Sequence, residues 1–484
     1  MIYTSVTQRF NKIFFRGYND SGKRIQSNNC AYSPKFYVEA GTDDFPDAKS
    51  LYSKPLQEKE FKNISEARNF VKTYKDVMEI HGNDRYEYNF IHRNFEGEQK
   101  VTIADLTVIL LDIETTVEFG FPDVKNPLEE VLLITCQDYN TRKLTTFGCQ
   151  PYTGSDTNYI LCRDESDLLQ KWINYCIEVD FDIMTGWNVI AFDMAYLGSR
   201  IIKVLGQKAL NRLSPFGFVD AKTDTIMDRE ILRYEITGRT VLDMLELYKK
   251  FRFINRPNYK LQTIATVELG DTKLENPYKT FKEHYQNDWN SFTSYNIKDV
   301  TLLSRLEDKL GLVYLAVTLA YLTKVNYSDV YSPVKTWESY ILSTLYEENV
   351  FCPLKEVHSS DHQIVGGYVK EPVPGLYDWV VSYDFESLYP CIIMSNNMSP
   401  ETIVDQVDMP SIDSLLKDEF MKDIDQNYTI CANGARFRKD ILGVMPRLTD
   451  HVFASRKKAK RTMLDLKSEY ELVKTELKSR GIEL

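Results

Sequence analysis

The sequence predicts a multidomain protein that combines α+β and α/β architecture, on three observations. Its 484 residues exceed the roughly 250–300 that one hydrophobic core supports, so about three or four domains are expected. Short aromatic and β-branched runs fill residues 1–105, whereas strand and helix patterns alternate from about 106 to 310. After Gly443 and Pro446 a single long helical pattern runs to the C-terminus.

Taken in order, Ile2–Phe10, Ile13–Tyr18 and Lys35–Val38 read as strands, with a turn at Asn19-Asp20-Ser21-Gly22 and a helix near Ile64–Lys75. These form an N-terminal α+β domain, 1–105. In the second domain, 106–310, Leu106–Ile113 and Val131–Gln137 read as buried strands and Leu168–Glu178 as an amphipathic helix. Phe181–Met184 reads as a further strand, and a helix from Ser291 to about Leu310 ends the domain. Residues 311–354 are mainly helical and are expected to pack back on the N-terminal domain. A turn-rich third domain, 355–442, delivers an apolar strand into Asp384, and 443–484 is the final helix.

The composition excludes some classes of function. Ample apolar and aromatic content argues against disorder. No run of eighteen apolar residues occurs and the N-terminus lacks a leader-like layout, so a soluble, intracellular protein without membrane association is expected. The eight cysteines stand singly, without C-x-x-C spacing, and read as reduced thiols. A net charge of −11 argues against indiscriminate coating of nucleic acid, although local positive charge decides binding. Such charge is found at the end, where the last 34 residues carry nine Lys/Arg against five Asp/Glu.

Three acidic spots carry the chemistry of the second domain. Asp112 and Glu114 are two apart on a strand and so face one side. Asp193 opens an otherwise apolar helix, where an unpaired charge is costly. Tyr295 and Asp299 are four apart on a helix and share a face. In this order and spacing, D-x-E, N-x-x-x-F-D and Y-x-x-x-D resemble the three motifs of the DnaQ-like (RNase H-like) 3′–5′ exonuclease fold. Four converging carboxylates repel one another unless a cation neutralises them, and an all-oxygen site suits Mg²⁺ or Mn²⁺. The resemblance makes Asp112, Glu114, Asp193 and Asp299 ligands of two ions, with Tyr295 orienting the attacking water. It places Asn188 and Phe192 beside the terminal nucleotides of a single-stranded 3′ end.

Residues 384–390, Asp-Phe-Glu-Ser-Leu-Tyr-Pro, resemble motif A of the family B DNA polymerases, in particular those of T-even-type tailed phages. The resemblance spans nearly all of the chain. It implies an exonuclease followed by a partial palm and partial fingers. Asp384 would hold catalytic Mg²⁺, the Ser387–Leu388 backbone would cradle the triphosphate of a dNTP, and Tyr389 would block a 2′-hydroxyl. Arg456 and Lys460, one turn apart, suit the outer phosphates. Val369-Lys370-Glu371-Pro372 resembles the family's connector. Ahead of it Gly366 and Gly367 would let DNA backbone approach, although Ile364 stands where many relatives have Tyr.

The later family motifs, Lys-x-x-x-Asn-Ser-x-Tyr-Gly and Tyr-x-Asp-Thr-Asp, are not found. The resemblance therefore implies one subunit of a split polymerase acting on primer–template DNA. A C-terminal partner subunit would supply the rest of palm, fingers and thumb, and contact with a sliding clamp would pass through it. Leu464, Leu466, Leu472 and Leu477 of the last helix would need cover from that partner. The cytoplasm of a phage-infected bacterium is the expected compartment. A stand-alone exonuclease, a silent DNA-binding scaffold and an artificially shortened polymerase are the alternative readings.

Overall fold

The structure is a computed structural model, and it describes residues 1–41, 46–97, 99–226, 229–274, 276–355, 369–408 and 426–481. The chain divides into two compact units. One comprises Met1–Ser50 and Pro55–Leu354, the other Leu51–Lys54 and Lys355–Leu484.

The first unit begins with an antiparallel sheet of Ile2–Arg9, Lys12–Tyr18 and Arg24–Ser27. Its first hairpin turns through Phe10 and Asn11, both with positive φ (49° and 62°). That is the two-residue geometry whose twist matches the flanking strands. Helices Tyr86–Asn94 and Leu312–Thr323 pack on the sheet and share a core in which Tyr3, Val6 and Phe15 meet Ile91, Val313 and Val317. The Asn326 side chain ties the two chain segments together, accepting from Val6 N and donating to Val6 O, each at 2.9 Å. Residues more than three hundred positions apart thus close one core.

Next to it stands a six-stranded sheet in the order Asn158–Leu161, Leu144–Gly148, Val131–Asp138, Val108–Thr115, Ile183–Gly186, Thr240–Asp243. The Val108–Thr115 strand pairs antiparallel with Val131–Asp138 and parallel with Ile183–Gly186. It is apolar through Val108–Leu111 because both of its faces are covered. Ile109, Leu111 and Ile113 pack with Trp172 and Leu197 from helices Glu165–Val179 and Asp193–Leu205. Val108 and Leu110 point the other way, into a core with Val300, Leu303 and Leu306 of helix Trp289–Leu310. A hairpin, Val219–Ile226 with Arg229–Ile236, adds Val219, Tyr234 and Ile236 to the core that holds Trp172 and Leu197.

A buried ion network joins the two sheets. Asp182, just before strand Ile183–Gly186, accepts from Tyr18 Oη at 2.6 Å, from Thr107 N at 2.9 Å and from Arg24. Arg16, fully buried, reaches Asp180 at 2.7 Å and lies 3.8 Å from Asp182. Among the described helices none is long and apolar enough to cross a membrane. None of the eight cysteines forms a disulfide among the described residues.

The second unit holds helix Leu388–Ser395, a three-stranded antiparallel sheet of Ile403–Gln406, Ala435–Arg438 and Tyr428–Ile430, and the 36-residue helix Val444–Ser479. The apolar strand expected to lead into Asp384 does not form, because Val380–Phe385 lies beside no described strand. A strand persists only where a neighbour takes its N–H and C=O groups. The segment is instead exposed, with Tyr383 at 92%.

Asp182→Ala should destabilise the first unit by about 3 kcal/mol, because it removes the fully buried acid that Arg24, Tyr18 and Thr107 N share and leaves Arg16 and Arg24 only the half-exposed Asp180. Thermal unfolding checks this, and a change below about 1 kcal/mol would place the strength of the joint in the apolar core instead.

Candidate active site

Alternation along the central strand decides where its acids go. Val108 and Leu110 face helix Trp289–Leu310, so Asp112 and Glu114, at the same parity, face it too. That helix presents Tyr295 and Asp299 one turn apart. Carboxylate oxygens of Asp112, Glu114 and Asp299 all lie within 4.8 Å of one another. Asp193 begins its helix across the strand, where its Oδ1 accepts from Ile113 N at 3.2 Å. It stands beside the three-acid group rather than within it.

Burial and mutual repulsion govern the charge of the group. Asp112 is raised well above the usual carboxyl range by burial, then by Asp299, Asp193 and Glu114. Glu114 is pushed up to about 8 by burial and then by Asp299. Asp193 is pushed up to about 7 by burial, against the backbone N–H of Ile113. Asp299 is raised by burial in spite of an ion pair with Lys273. Burial alone would lower Lys273, but Asp299 and Asp112 outweigh it and hold the ammonium charged.

Lys273 was not singled out from the sequence, and neither was Asn296. Lys273 Nζ also lies 5.3 Å from the centre of the Tyr295 ring. Asn296, fully buried, donates from Nδ2 to Asp112 Oδ2 at 2.7 Å, while its Oδ1 has no hydrogen-bond partner among the described residues. Isolated residues of this kind carry no periodic signal, and only the fold brings them to the acids. The same holds for Phe121, 87% exposed, whose ring centre is 5.8 Å from that of Phe192.

These groups line a cleft of about 1030 Å³ that includes Asp112, Phe121, Asn188, Phe192, Lys273 and Tyr295. Asn188 sits at a positive φ of 63°, a conformation that Asn tolerates better than most residues. The donor set that Asp112 shares with Glu114 and Asp299 is all oxygen, and Asp299 Oδ1 has no hydrogen-bond partner among the described residues. It fits a hard divalent cation, for which Mg²⁺ and Mn²⁺ are the natural choices.

In the second unit Asp384, Leu388 and Tyr389 are exposed, and Ser387 takes a positive φ of 54° to start helix Leu388–Ser395. Arg456 Nη1 donates to Ser387 Oγ at 3.2 Å, and Lys460 Nζ lies 3.9 Å from Glu386. Both expected phosphate-binding side chains thus face the Ser387–Leu388 turn. Gly366 and Gly367 lie outside the described residues.

The raised carboxyls have a definite sign of linkage. Folded Glu114 and Asp193 hold protons that the unfolded chain, with carboxyls near 4, has already released. Their contribution to stability is therefore complete below about pH 4 and is lost as pH rises through about 7 and 8. Metal-free protein should lose melting temperature from pH 5 to about 8.5, and Mg²⁺ should restore it. Calorimetric titration with Mn²⁺ in two buffers of different ionisation enthalpy should show proton release, and an absence of release would contradict the raised carboxyls.

Comparison with known proteins matches residues 63–264 to the exonuclease domain of DNA polymerase family B, and residues 331–479 to DNA polymerase family B. The DNA-directed DNA polymerase of Escherichia phage RB69 is 30% identical over 98% of this chain and 55% of its own length. That of Enterobacteria phage T4 is 28% identical over the same shares. The DNA polymerase delta catalytic subunit of Caenorhabditis elegans is 26% identical over 79% of this chain and 36% of its own length. The chain spans about half the length of the phage relatives it matches. With exonuclease and polymerase domains both matched in sequence order, the chain belongs to family B of the DNA polymerases.

Proposed function

We propose that this chain is a 3′–5′ exonuclease joined to the first part of a DNA polymerase centre. The observation that carries the reading is the meeting of Asp112, Glu114 and Asp299 within 4.8 Å, with Asp112 opening onto a cleft that Phe121 and Phe192 also line. Two divalent ions bound there, Mg²⁺ or Mn²⁺, would supply an activated water and neutralise the departing 3′ oxygen. The chain's own groups do the rest. Phe121 and Phe192 offer faces on which the last bases of a single strand can stack. Asn188 meets the terminal nucleotide, and the Tyr295 hydroxyl, its proton held by a pKa raised to about 12 through burial, orients the water. Lys273 offsets part of the negative charge before substrate arrives.

In the polymerase reading Asp384 is a palm ligand for Mg²⁺, Tyr389 faces the sugar of a dNTP, and Arg456 with Lys460 hold its phosphates. A second polypeptide with the remaining palm, finger and thumb elements completes the site on primer–template DNA and carries the contact to a sliding clamp. Two features support this. Among the described residues no strand pairs with Val380–Phe385, which leaves its backbone for a neighbour. Met463, Leu466, Tyr470 and Val473 are exposed at spacings of three and four along the final helix, the pattern of a helix that lies against another. Of the four leucines expected to need cover, Leu464, Leu466 and Leu472 are exposed and Leu477 is half-buried. The cytoplasm of an infected bacterium suits this work. A free-standing exonuclease is the second reading, favoured by the exposure of Asp384 itself.

Labelled primer–template with Mg²⁺ and dNTPs separates these readings. The chain alone should shorten the primer, and a protein carrying the later motifs should convert shortening to extension. Asp112→Ala with Glu114→Ala should reduce degradation by at least about 10³-fold while sparing extension, and Asp384→Ala should do the reverse. Degradation that no partner converts would favour the free-standing nuclease, and no degradation at all would remove the exonuclease reading.

A further inference from the structure

A fifth buried carboxylate lies near the cleft without joining the acidic group. Asp243, 1% exposed, ends strand Thr240–Asp243 and pairs in register with Gly186 on the neighbouring parallel strand. Its Oδ1 accepts from Asn188 N at 3.0 Å and from Leu245 N at 2.9 Å, and its Oδ2 accepts from Ile190 N at 3.1 Å. The bond to Leu245 is an ordinary cap on helix Met244–Phe251, for which a serine would suffice. The other two bonds reach across to the loop that follows strand Ile183–Gly186: Asn188 N shares Oδ1 with the cap, and Ile190 N takes the second oxygen, which a serine lacks.

That loop has turn hydrogen bonds from Phe192 N to Asn188 O at 3.0 Å and from Met194 N to Val189 O at 2.9 Å, but none of these engages the N–H groups of Asn188 and Ile190. It passes through Asn188 at positive φ, and Phe192 precedes helix Asp193–Leu205 without a side-chain cap. Trp187 fixes its start by donating from Nε1 to Tyr259 O at 2.9 Å. Beyond that point the Asp243 carboxylate draws in the amides on either side of Val189. Bonds from N–H groups to a carboxylate are the stronger kind, and a buried carboxylate is retained only where such bonds offset its desolvation. Asn188 and Phe192, which this loop presents, both line the cleft.

We propose that Asp243 is a positioning residue that shapes the Trp187–Phe192 loop, so that Asn188 and Phe192 grip the 3′-terminal nucleotide of single-stranded DNA. The proposal rests on the exonuclease reading. It separates Asp243 from the metal-binding acids, since its effect runs through strand binding.

Asp243→Asn keeps the shape but turns one acceptor into an NH₂ that faces backbone donors. With a 3′-labelled single-stranded oligonucleotide and Mg²⁺, KM should rise about tenfold or more, while kcat and the Mg²⁺ concentration for half-maximal rate change by less than about threefold. A fall in kcat at unchanged KM, or a raised Mg²⁺ requirement, would overturn the proposal and make Asp243 part of the metal centre. Should the variant fail to fold, hydrogen exchange on the wild-type chain decides. The Asn188 and Ile190 amides should be protected, and exchange at the rate of an exposed loop would refute the anchor. A wild-type chain without nuclease activity would remove the exonuclease reading, and the exchange measurement would still test the anchor.

Discussion

Mutual repulsion among Asp112, Glu114, Asp193 and Asp299 is the constraint around which the first unit is arranged. The four acids come from one strand and two helices, and folding carries them out of water into a shared space. Left to themselves they would protonate or push the layers apart. The fold offsets the repulsion with the Lys273 ammonium, the Asn296 amide and the Ile113 N–H. Each relieves one acid and none neutralises all four. The remaining negative charge is what the proposed divalent cations would neutralise.

Holding such a group requires rigid supports on every side. The Val108–Thr115 strand is fixed by hydrogen-bonded neighbours on both edges and by helices on both faces. Helix Trp289–Leu310 contributes Val300, Leu303 and Leu306 to a core continuous with the N-terminal sheet, so the support for Asp299 extends to residues near the start of the chain. Arg16, Arg24, Asp180 and Asp182 add a charged joint between the two sheets. The N-terminal sheet therefore bears on the site as a buttress.

Regular periodicity was the part of this architecture legible in the sequence. Asp112 and Glu114 share a face because side chains alternate on a strand, and Tyr295 and Asp299 because a helix returns after four residues. Both inferences are local, and the structure bears them out. Lys273, Asn296, Phe121 and Asp243 were not legible, since each gains its role from a contact with a distant segment. Lys273 lies 26 residues from its partner Asp299 and Asn296 lies 184 from Asp112, separations that no repeat encodes. The strand expected before Asp384 fails for a related reason. Its apolar pattern is genuine, but a strand also needs a neighbour, and the sequence of one segment cannot supply it. The shared face of Arg456 and Lys460 was legible because they are one turn apart on an uninterrupted helix, while their contacts with Ser387 and Glu386 come from the fold.

Diffraction from crystals soaked in Mn²⁺, recorded at an energy where manganese scatters anomalously, tests the central claim most directly. Two peaks among Asp112, Glu114, Asp193 and Asp299, with Lys273 withdrawn from Asp299, are the result expected. Their absence at saturating Mn²⁺, with Lys273 still paired to Asp299, would contradict the account and leave the cluster a buried acidic group balanced by one lysine.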